Sequence, residues 1–335
     1  MIAVKDVRTR FGNDSDAASF IALIDAAWLE YTGVSLDLDG EIPEWRRLAS
    51  YYEAKGGNIW AAEADGEVVG MVAVAPHFTN AWEISRMYVA RTWRGTGLSH
   101  RLMDLIEEKV RASGGNRLVL WSDTRFPSGH RFYEKRSYVR AGPPKILDNP
   151  SRSLDFPYMK PLNGLVIEVL DATAAFSAER QLGNLLRTSV AAGADGQFRE
   201  QFDEKRACQV WREVSQSIAI GKRLLLLAWF DGVIVGSAEI DLATGETNSE
   251  VSRLERVLVA SQWQDKEVGP ALIAYAEAAT KALGRRLLVA MTRSGDTLDH
   301  LLRDSGWELG AVMPDVTSEH NGAPAVQRIF WRRVE

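Results

Sequence analysis

The chain has a single cysteine, Cys208, so an intramolecular disulfide is excluded. Its setting, "RACQVW", reads as an apolar helix position, and a lone buried thiol suits a reducing compartment. Long hydrophobic runs are also missing. The most apolar stretch, "RLLLLAWF" over residues 223–230, is far shorter than the ~18 residues that a membrane span needs. The N-terminal "MIAVKDVRTRF" lacks the apolar core and small-residue cleavage site of a signal peptide and reads as a first strand. No excess of one charge is present: 40 Lys and Arg against 45 Asp and Glu leave a net charge of −5. That balance offers no basic surface for nucleic acid. These absences predict a soluble, cytoplasmic chain with neither a membrane nor a nucleic acid as partner.

What is present is an internal repeat. At roughly 150 residues per domain, 335 residues suggest two domains. "WAAEADGEVVGMVAVA" (60–75) has a partner in "LLAWFDGVIVGSAEI" (226–240), each with two β-rich runs around an Asp-Gly turn, a strong hairpin signal. Asp65 pairs with Asp231 and Gly70 with Gly236, both 166 apart. "RMYVA" (86–90) matches "RVLVA" (256–260) at an offset of 170, and Tyr138 matches Trp307 at 169. So small a drift predicts two copies of one fold. The Pro-, Gly-, Asn- and Ser-rich stretch before Asn163 marks the boundary, giving domains 1–163 and 164–335. "LDFPYM" (154–159) reads as the closing strand of the first.

In the first copy a strand leads into "RTWRGTGLSHRL" (91–102), and a helix follows with Leu102, Leu105, Ile106 and Val110 on one face. A Gly-containing turn feeding a helix leaves backbone N–H groups at the positive end of the helix dipole, a ready anion site. Gly95 and Gly97 allow close approach to a phosphate, and Arg94 adds a cation that can bridge its oxygens. Taken alone, such a loop reads equally as a tight turn.

Strand, loop, amphipathic helix, strand and "HRFYEKRSY" together resemble the GNAT superfamily of acetyl-CoA-dependent N-acetyltransferases. The family loop R/QxxGxG/A stands here as Arg94, Gly95, Thr96, Gly97, Leu98 and Ser99, with Ser99 where the family has Gly or Ala. The resemblance implies an α/β (α+β) fold with two tandem GNAT domains, each a mixed, mostly antiparallel sheet flanked by helices. It implies acetyl-CoA as cosubstrate, no metal, the pyrophosphate on the loop, and the pantetheine along Met87, Tyr88 and Val89. A backbone N–H there would polarise the thioester carbonyl. It further implies Glu83 as the base, directly or through water, and Tyr133 as the acid that protonates the leaving thiolate. Glu83 reads equally as a solvent-facing strand carboxylate. Trp28, Tyr31, Asp123 and Arg125 are candidates for the acceptor site, with helix contacts or a cap as the plainer reading. Ser128 reads as an N-cap and His130 as a helix-surface residue, with no metal-ligand cluster near it. Phe126 stands where many family members have asparagine.

The second copy keeps the skeleton and loses the chemistry. Alignment puts Gln264 on Arg94, Asp265 on Gly95, Glu267 on Gly97, Gly269 on Ser99, Arg253 on Glu83 and Leu302 on Tyr133. Carboxylates near a diphosphate disfavour binding, and a Cβ replaces the glycine of the tight turn. Pro270 is compatible with a helix's first turn. "RLLLLAWFDGVIVGSAEI" and "LGRRLLVAMTRSGD" resemble the small GNAT enzymes of the tabtoxin-resistance type, so this half reads as a degenerate GNAT domain. The expected function is acetyl transfer to a primary amine of a small molecule by the first half, in a monomer or homodimer. The alternatives are a non-catalytic acyl-CoA-binding or interaction protein and a protein or peptide amine acetyltransferase.

Overall fold

The computed structural model describes residues 7–34, 43–78, 80–147, 151–191, 203–243, 250–264, 266–318 and 324–334. The chain divides into two compact units, one of Met1–Phe132 and Pro143–Asn163 and the other of Tyr133–Gly142 and Gly164–Glu335.

In the first unit the opening strand β1 is Arg8–Phe11, later than the start of the chain suggests; residues 1–6 lie outside the described residues. Helices α1 (Ala17–Trp28) and α2 (Leu48–Ala54) follow, then strands β2 (Asn58–Ala64), β3 (Glu67–Phe78) and β4 (Ala81–Val89). Helix α3 (Leu98–Ala112), strand β5 (Arg117–Asp123) and helix α4 (Pro127–Lys135) come next. The short strand β6 (Val139–Arg140) falls in the segment grouped with the second unit, and β7 (Lys145–Ile146) and β8 (Leu154–Pro161) return to the first. The sheet runs β1-β2-β3-β4-β5-β8, with β7 on β8, and its only parallel pair among the described strands is β4 with β5.

The order has physical causes. Asp65 and Gly66, at φ 51° and 80°, form the left-handed turn whose twist matches two antiparallel strands. Helix α3 lays Leu98, Leu102, Met103, Ile106 and Val110 into the core, each contributing about 1.5–3 kcal/mol by burial. Its outward face is charged, and Lys109 and Arg111 in the last turn complement the helix dipole. The opposite face of the sheet is covered by α1, α2 and the turn before α2, through Phe20, Ile24, Trp45, Leu48 and Tyr52.

The second unit repeats this plan with β9 (Leu165–Leu170), α5 (Ala172–Ser177), α6 (Glu179–Ala191), α7 (Glu204–Ala219), β10 (Arg223–Phe230), β11 (Val233–Asp241) and β12 (Val251–Val259). Helix α8 (Val268–Ala282), β13 (Leu287–Arg293), α9 (Thr297–Asp304), β14 (Glu308–Ser318) and β15 (Pro324–Arg333) complete it. Its sheet order is β9-β10-β11-β12-β13-β15-β14, and β12 with β13 is again a parallel pair. Asp231 and Gly232, at 48° and 82°, rebuild the same turn. Pro270 sits in the first turn of α8, as expected. Cys208 is buried on α7, and desolvation pushes its thiol pKa up, which keeps it inert.

Both units carry a bulge at one place. Pairing passes from Met71 with Tyr88 to Ala73 with Ser85, and from Ala238 with Val257 to Ile240 with Leu254, so one extra residue stands in β4 and in β12. In the second unit the bulge region holds a buried charge cluster: Glu239, fully buried, accepts hydrogen bonds from Arg223 and Arg256. Removing its charge leaves two guanidinium groups facing a neutral amide. Glu239→Gln is expected to destabilise the protein by about 3 kcal/mol in urea denaturation; a loss under 0.5 kcal/mol would show that the cluster is not electrostatically coupled.

Candidate active site

The turn between β4 and α3 has open backbone donors. After a 3-10 turn at Arg91–Trp93, Gly95 and Gly97 take left-handed φ values of 75° and 100°, and Gly97 caps α3. Among the described residues, the N–H groups of Gly95, Thr96, Gly97, Leu98 and Ser99 take no hydrogen bond. A Cβ built on Gly95 would meet nothing within 4 Å, so the space before the turn is open. Thr96 turns its hydroxyl back to the Trp93 carbonyl at 2.7 Å, steadying the turn without using an amide. Partnerless donors at a helix N-terminus form an anion cradle.

The corresponding turn of the second unit uses two of its amides internally. Lys266 N–H donates to the Trp263 carbonyl at 3.1 Å and Val268 N–H to the Lys266 carbonyl at 2.5 Å. Glu267, on the position of Gly97, caps α8 at φ −57°. The sequence suggests a Cβ strained into the same turn; instead the backbone at Glu267 takes a negative φ that a side chain tolerates. Asp265 lies outside the described residues. Leu302, on the position of Tyr133, is core, and Arg253, on that of Glu83, pairs with Asp241 at 2.8 Å.

Arg94 is engaged in the first unit. Its two Nη atoms meet the Glu30 carboxylate at 2.8 Å each, and its Nε donates to the Val89 carbonyl at 3.2 Å. The bidentate Arg94 hydrogen bonds hold the Glu30 carboxyl below its usual range. Glu30 stands beside Trp28 and Tyr31 in "AAWLEYTG", where the resemblance implies the acceptor site, but its pairing with Arg94, 64 residues away, has no signal in the sequence.

Strands β4 and β5 part early. Their parallel pairing runs from Ala81 with Arg117 to Ile84 with Leu120 and stops, although β4 continues to Val89 and β5 to Asp123. The β5-facing edge of β4 beyond Ile84, which includes Met87, Tyr88 and Val89, is therefore unpaired by β5 and leads straight to the cradle.

On the α1/α2 side of the sheet Trp28, Tyr31, Tyr88 and Glu83 gather. Trp28 Nε1 donates to the Tyr88 hydroxyl at 2.8 Å, and Tyr31 lies 4.5 Å from the Phe126 ring. Arg125 donates to the Gly33 carbonyl at 2.8 Å and grips Asp123, linking the end of α1 to the end of β5. Tyr52 and Ser85 share a hydrogen bond of 2.7 Å, and Glu83 lies 3.2 Å from His77 Nδ1. Burial raises the Tyr88 phenol pKa, against the opposing effects of Arg86 and the Trp28 indole. Tyr133, in the segment grouped with the second unit, is nine-tenths buried on α4, its ring 5.8 Å from Tyr138. The preceding residue, Phe132, stacks edge-on with His100 of α3 at 5.1 Å.

Two expectations are corrected here. His130 is buried, its Nε2 2.9 Å from the Asp123 carbonyl and its ring packed on Phe156 and Tyr158, because α4 turns that face to the sheet. Ser128 is not a cap: α4 begins at Pro127, and the Ser128 hydroxyl stands 3.4 Å from that of Tyr31.

Asp155 was missed by the sequence reading. It pairs with Asp123 across β5 and β8, and its Oδ1 is buried without a partner. Burial and then the Asp123 charge push its pKa up to about 6, while Lys145 and Arg125 oppose the rise. Burial works on Asp123 too, but the Arg125 hydrogen bonds outweigh it and hold that carboxyl below its ordinary range. A lone acid in the apolar strand "LDFPYM" was the available signal. Between about pH 4 and 6 the folded chain holds a proton on Asp155 that the unfolded chain has released, so stability falls as pH rises through this window. Asp155→Asn is expected to gain about 1–2 kcal/mol at pH 7 and almost nothing at pH 4, allowing for partial exposure; urea denaturation at both pH values checks this. An equal gain at both would contradict it.

Among the described residues no group of three or more His, Cys, Asp and Glu could hold a metal ion, and no helix is long and apolar enough to cross a membrane. Comparison with known proteins agrees with the geometry. Residues 20–138 match the acetyltransferase (GNAT) family. An aminoglycoside N(6')-acetyltransferase type 1 of Stenotrophomonas maltophilia is 38% identical over 93 residues, 26% of this chain and 61% of that protein. An IAA acetyltransferase of Azospirillum brasilense is 32% identical over 83 residues, 24% of this chain and 54% of that one. The chain thus spans between half and two thirds of the length of these curated relatives. The solved structure of yncA from Salmonella typhimurium with its cofactor acetyl-CoA aligns at a TM-score of 0.43 and 18% identity, over 52% of this chain and 95% of that one. The unpaired cradle, the parting strands and the family match coincide on one stretch of chain: residues 20–138 are similar to the acetyltransferase (GNAT) family.

Proposed function

We propose that the first half of the chain transfers an acetyl group from acetyl-CoA to a primary amine of a small molecule, and that residues 164–335 are a degenerate copy without that activity. The observation that carries this reading is the contrast between two turns of common design, one with five partnerless amides and the other with its Lys266 and Val268 amides bonded within the turn. The amides of Gly95, Thr96, Gly97, Leu98 and Ser99 would hold the pyrophosphate, and the open edge at Met87, Tyr88 and Val89 would pair with the pantetheine. Arg94 would join once a phosphate competes with Glu30 for its guanidinium. Acetyl-CoA supplies an acetyl group activated as a thioester, so that C–N bond formation breaks the C–S bond.

This chain's residues would then manage two protons. Glu83, on the sheet face that α1 and α2 cover, would accept one from the ammonium of the acceptor, directly or through water. Tyr133 would give one to the departing thiolate, for which a phenol is suited because its pKa lies not far above that of a thiol. Trp28, Tyr31, Asp123 and Arg125, which the fold brings to one end of α1 and β5, would line the acceptor's approach. The relative named as an aminoglycoside acetyltransferase supports a small-molecule acceptor.

Tyr133→Phe is expected to lower kcat about 100-fold and leave the acetyl-CoA Kd within twofold. Gly97→Glu, which places a side chain and a negative charge at φ 100°, is expected to weaken acetyl-CoA at least 10-fold. Calorimetric titration with acetyl-CoA and a thiol-release assay over an amine panel check both. Unchanged affinity in Gly97→Glu would refute the cradle, and bound acetyl-CoA with no transfer to any amine would favour a non-catalytic binder.

A further inference from the structure

The first unit contains an arginine whose counter-charge is missing among the described residues. Arg86 occupies the β4 bulge at φ 55°, is half-buried, and lays its guanidinium over the Trp45 ring at 4.4 Å. Its Nε is buried with no hydrogen-bond partner, and it makes no salt bridge. Stacked on Trp45, the guanidinium has no carboxylate partner among the described residues and keeps its Nη donors for a ligand or water; the orphan Nε is a feature it shares with Arg256.

The second unit shows what such an arginine pairs with. Arg256, 170 residues on from Arg86, occupies the equivalent bulge and lies over the Trp211 ring at 5.8 Å; Trp211 is 166 residues on from Trp45. There the fully buried Glu239 carboxylate accepts hydrogen bonds from Arg256 and Arg223. By the 166-residue offset of the hairpin, Glu239 falls on Ala73 and Arg223 on Gly57. The first unit therefore keeps the arginine and its aromatic platform and lacks the carboxylate.

The side chains around Arg86 belong to the acceptor side. Trp45, Tyr52, Trp28 and Tyr88 pack in one cluster, Tyr52 bonds to Ser85, and Glu83 is two residues before Ser85 on the same face. None of the acids there satisfies Arg86: Glu83 lies against His77, and Asp123 is held by Arg125.

We infer that Arg86 docks a carboxylate carried by the amine acceptor, so that the acceptor is an amino acid or a related amine bearing a carboxylate rather than a polycation. This rests on the acetyl-transfer reading above and narrows it. The Arg86 Nη groups offer charged donors to a carboxylate, as Arg256 Nη1 does to Glu239 in the second unit. The carboxylate that the second unit carries on its own chain is brought to the first by the substrate, beside the base that receives the amine's proton.

The test compares matched acceptors. Steady-state acetylation is measured for a panel of amino acids and their carboxamides, with spermidine and an aminoglycoside as cationic controls, on wild type, Arg86→Gln and Arg86→Lys. The wild type is expected to favour the free acid over its carboxamide by about 10- to 100-fold in kcat/KM. Arg86→Gln is expected to erase that ratio through KM for the acid, with KM for acetyl-CoA unmoved, and Arg86→Lys to restore part of it. Equal use of acid and carboxamide by the wild type, or preference for the cations, overturns the assignment without any variant. So does an Arg86→Gln enzyme that loses both members of a pair alike. Absence of acetyl-CoA binding, or of transfer to any amine, defeats the acetyl-transfer reading itself and this assignment with it; transfer without carboxylate preference defeats the Arg86 assignment alone.

Discussion

A backbone N–H left without a partner is costly unless water or a ligand supplies one, and the first unit keeps five of them at a single turn. Everything about the site depends on that arrangement. Two glycines at positive φ aim the donors, α3 adds the positive end of its dipole, and the buried face of α3 anchors the turn to the sheet. The strand that leads into the turn stops pairing with β5 after Ile84, so its free edge runs toward the same donors. A rigid scaffold thus presents unmet hydrogen bonds in a line.

The second unit serves as an internal control because it solves the same folding problem without a ligand. Its sheet has the same order, the same Asp-Gly turn and a bulge at the same place, yet it differs at the helix-leading turn and at the bulge. Lys266 and Val268 donate their amides within the turn, and Glu239 accepts from the bulge arginine Arg256 and from Arg223 of β10. Glu267 at negative φ has no use for the left-handed conformation that Gly97 adopts. At the turn the second unit uses the Lys266 and Val268 amides internally, and at the bulge it supplies the carboxylate that the first unit lacks. The difference between a site and a scaffold is then a difference in hydrogen-bond and charge satisfaction, not in topology.

Local chemistry made much of this legible in the sequence. The hairpins follow from Asp-Gly between β-rich runs, α3 from its apolar spacing, and the cradle from glycines between a strand and a helix. What escaped was non-local. The Glu30–Arg94 pair joins residues 64 apart, and the two-acid contact of Asp123 with Asp155 exists only once β5 and β8 lie side by side. His130 reads as a surface residue by polarity alone, but the face that α4 turns inward carries it. The bulge that sets Arg86 at φ 55° has no glycine to announce it, although the arginine appears in both "RMYVA" and "RVLVA".

The most direct test of the account is to follow backbone amide resonances of the full chain while CoA is added. Shifts concentrated at Gly95, Thr96, Gly97, Leu98 and Ser99, with Lys266, Glu267 and Val268 unmoved, are the predicted result. Shifts at 266–268, or none at 95–99 while CoA binds, would contradict it.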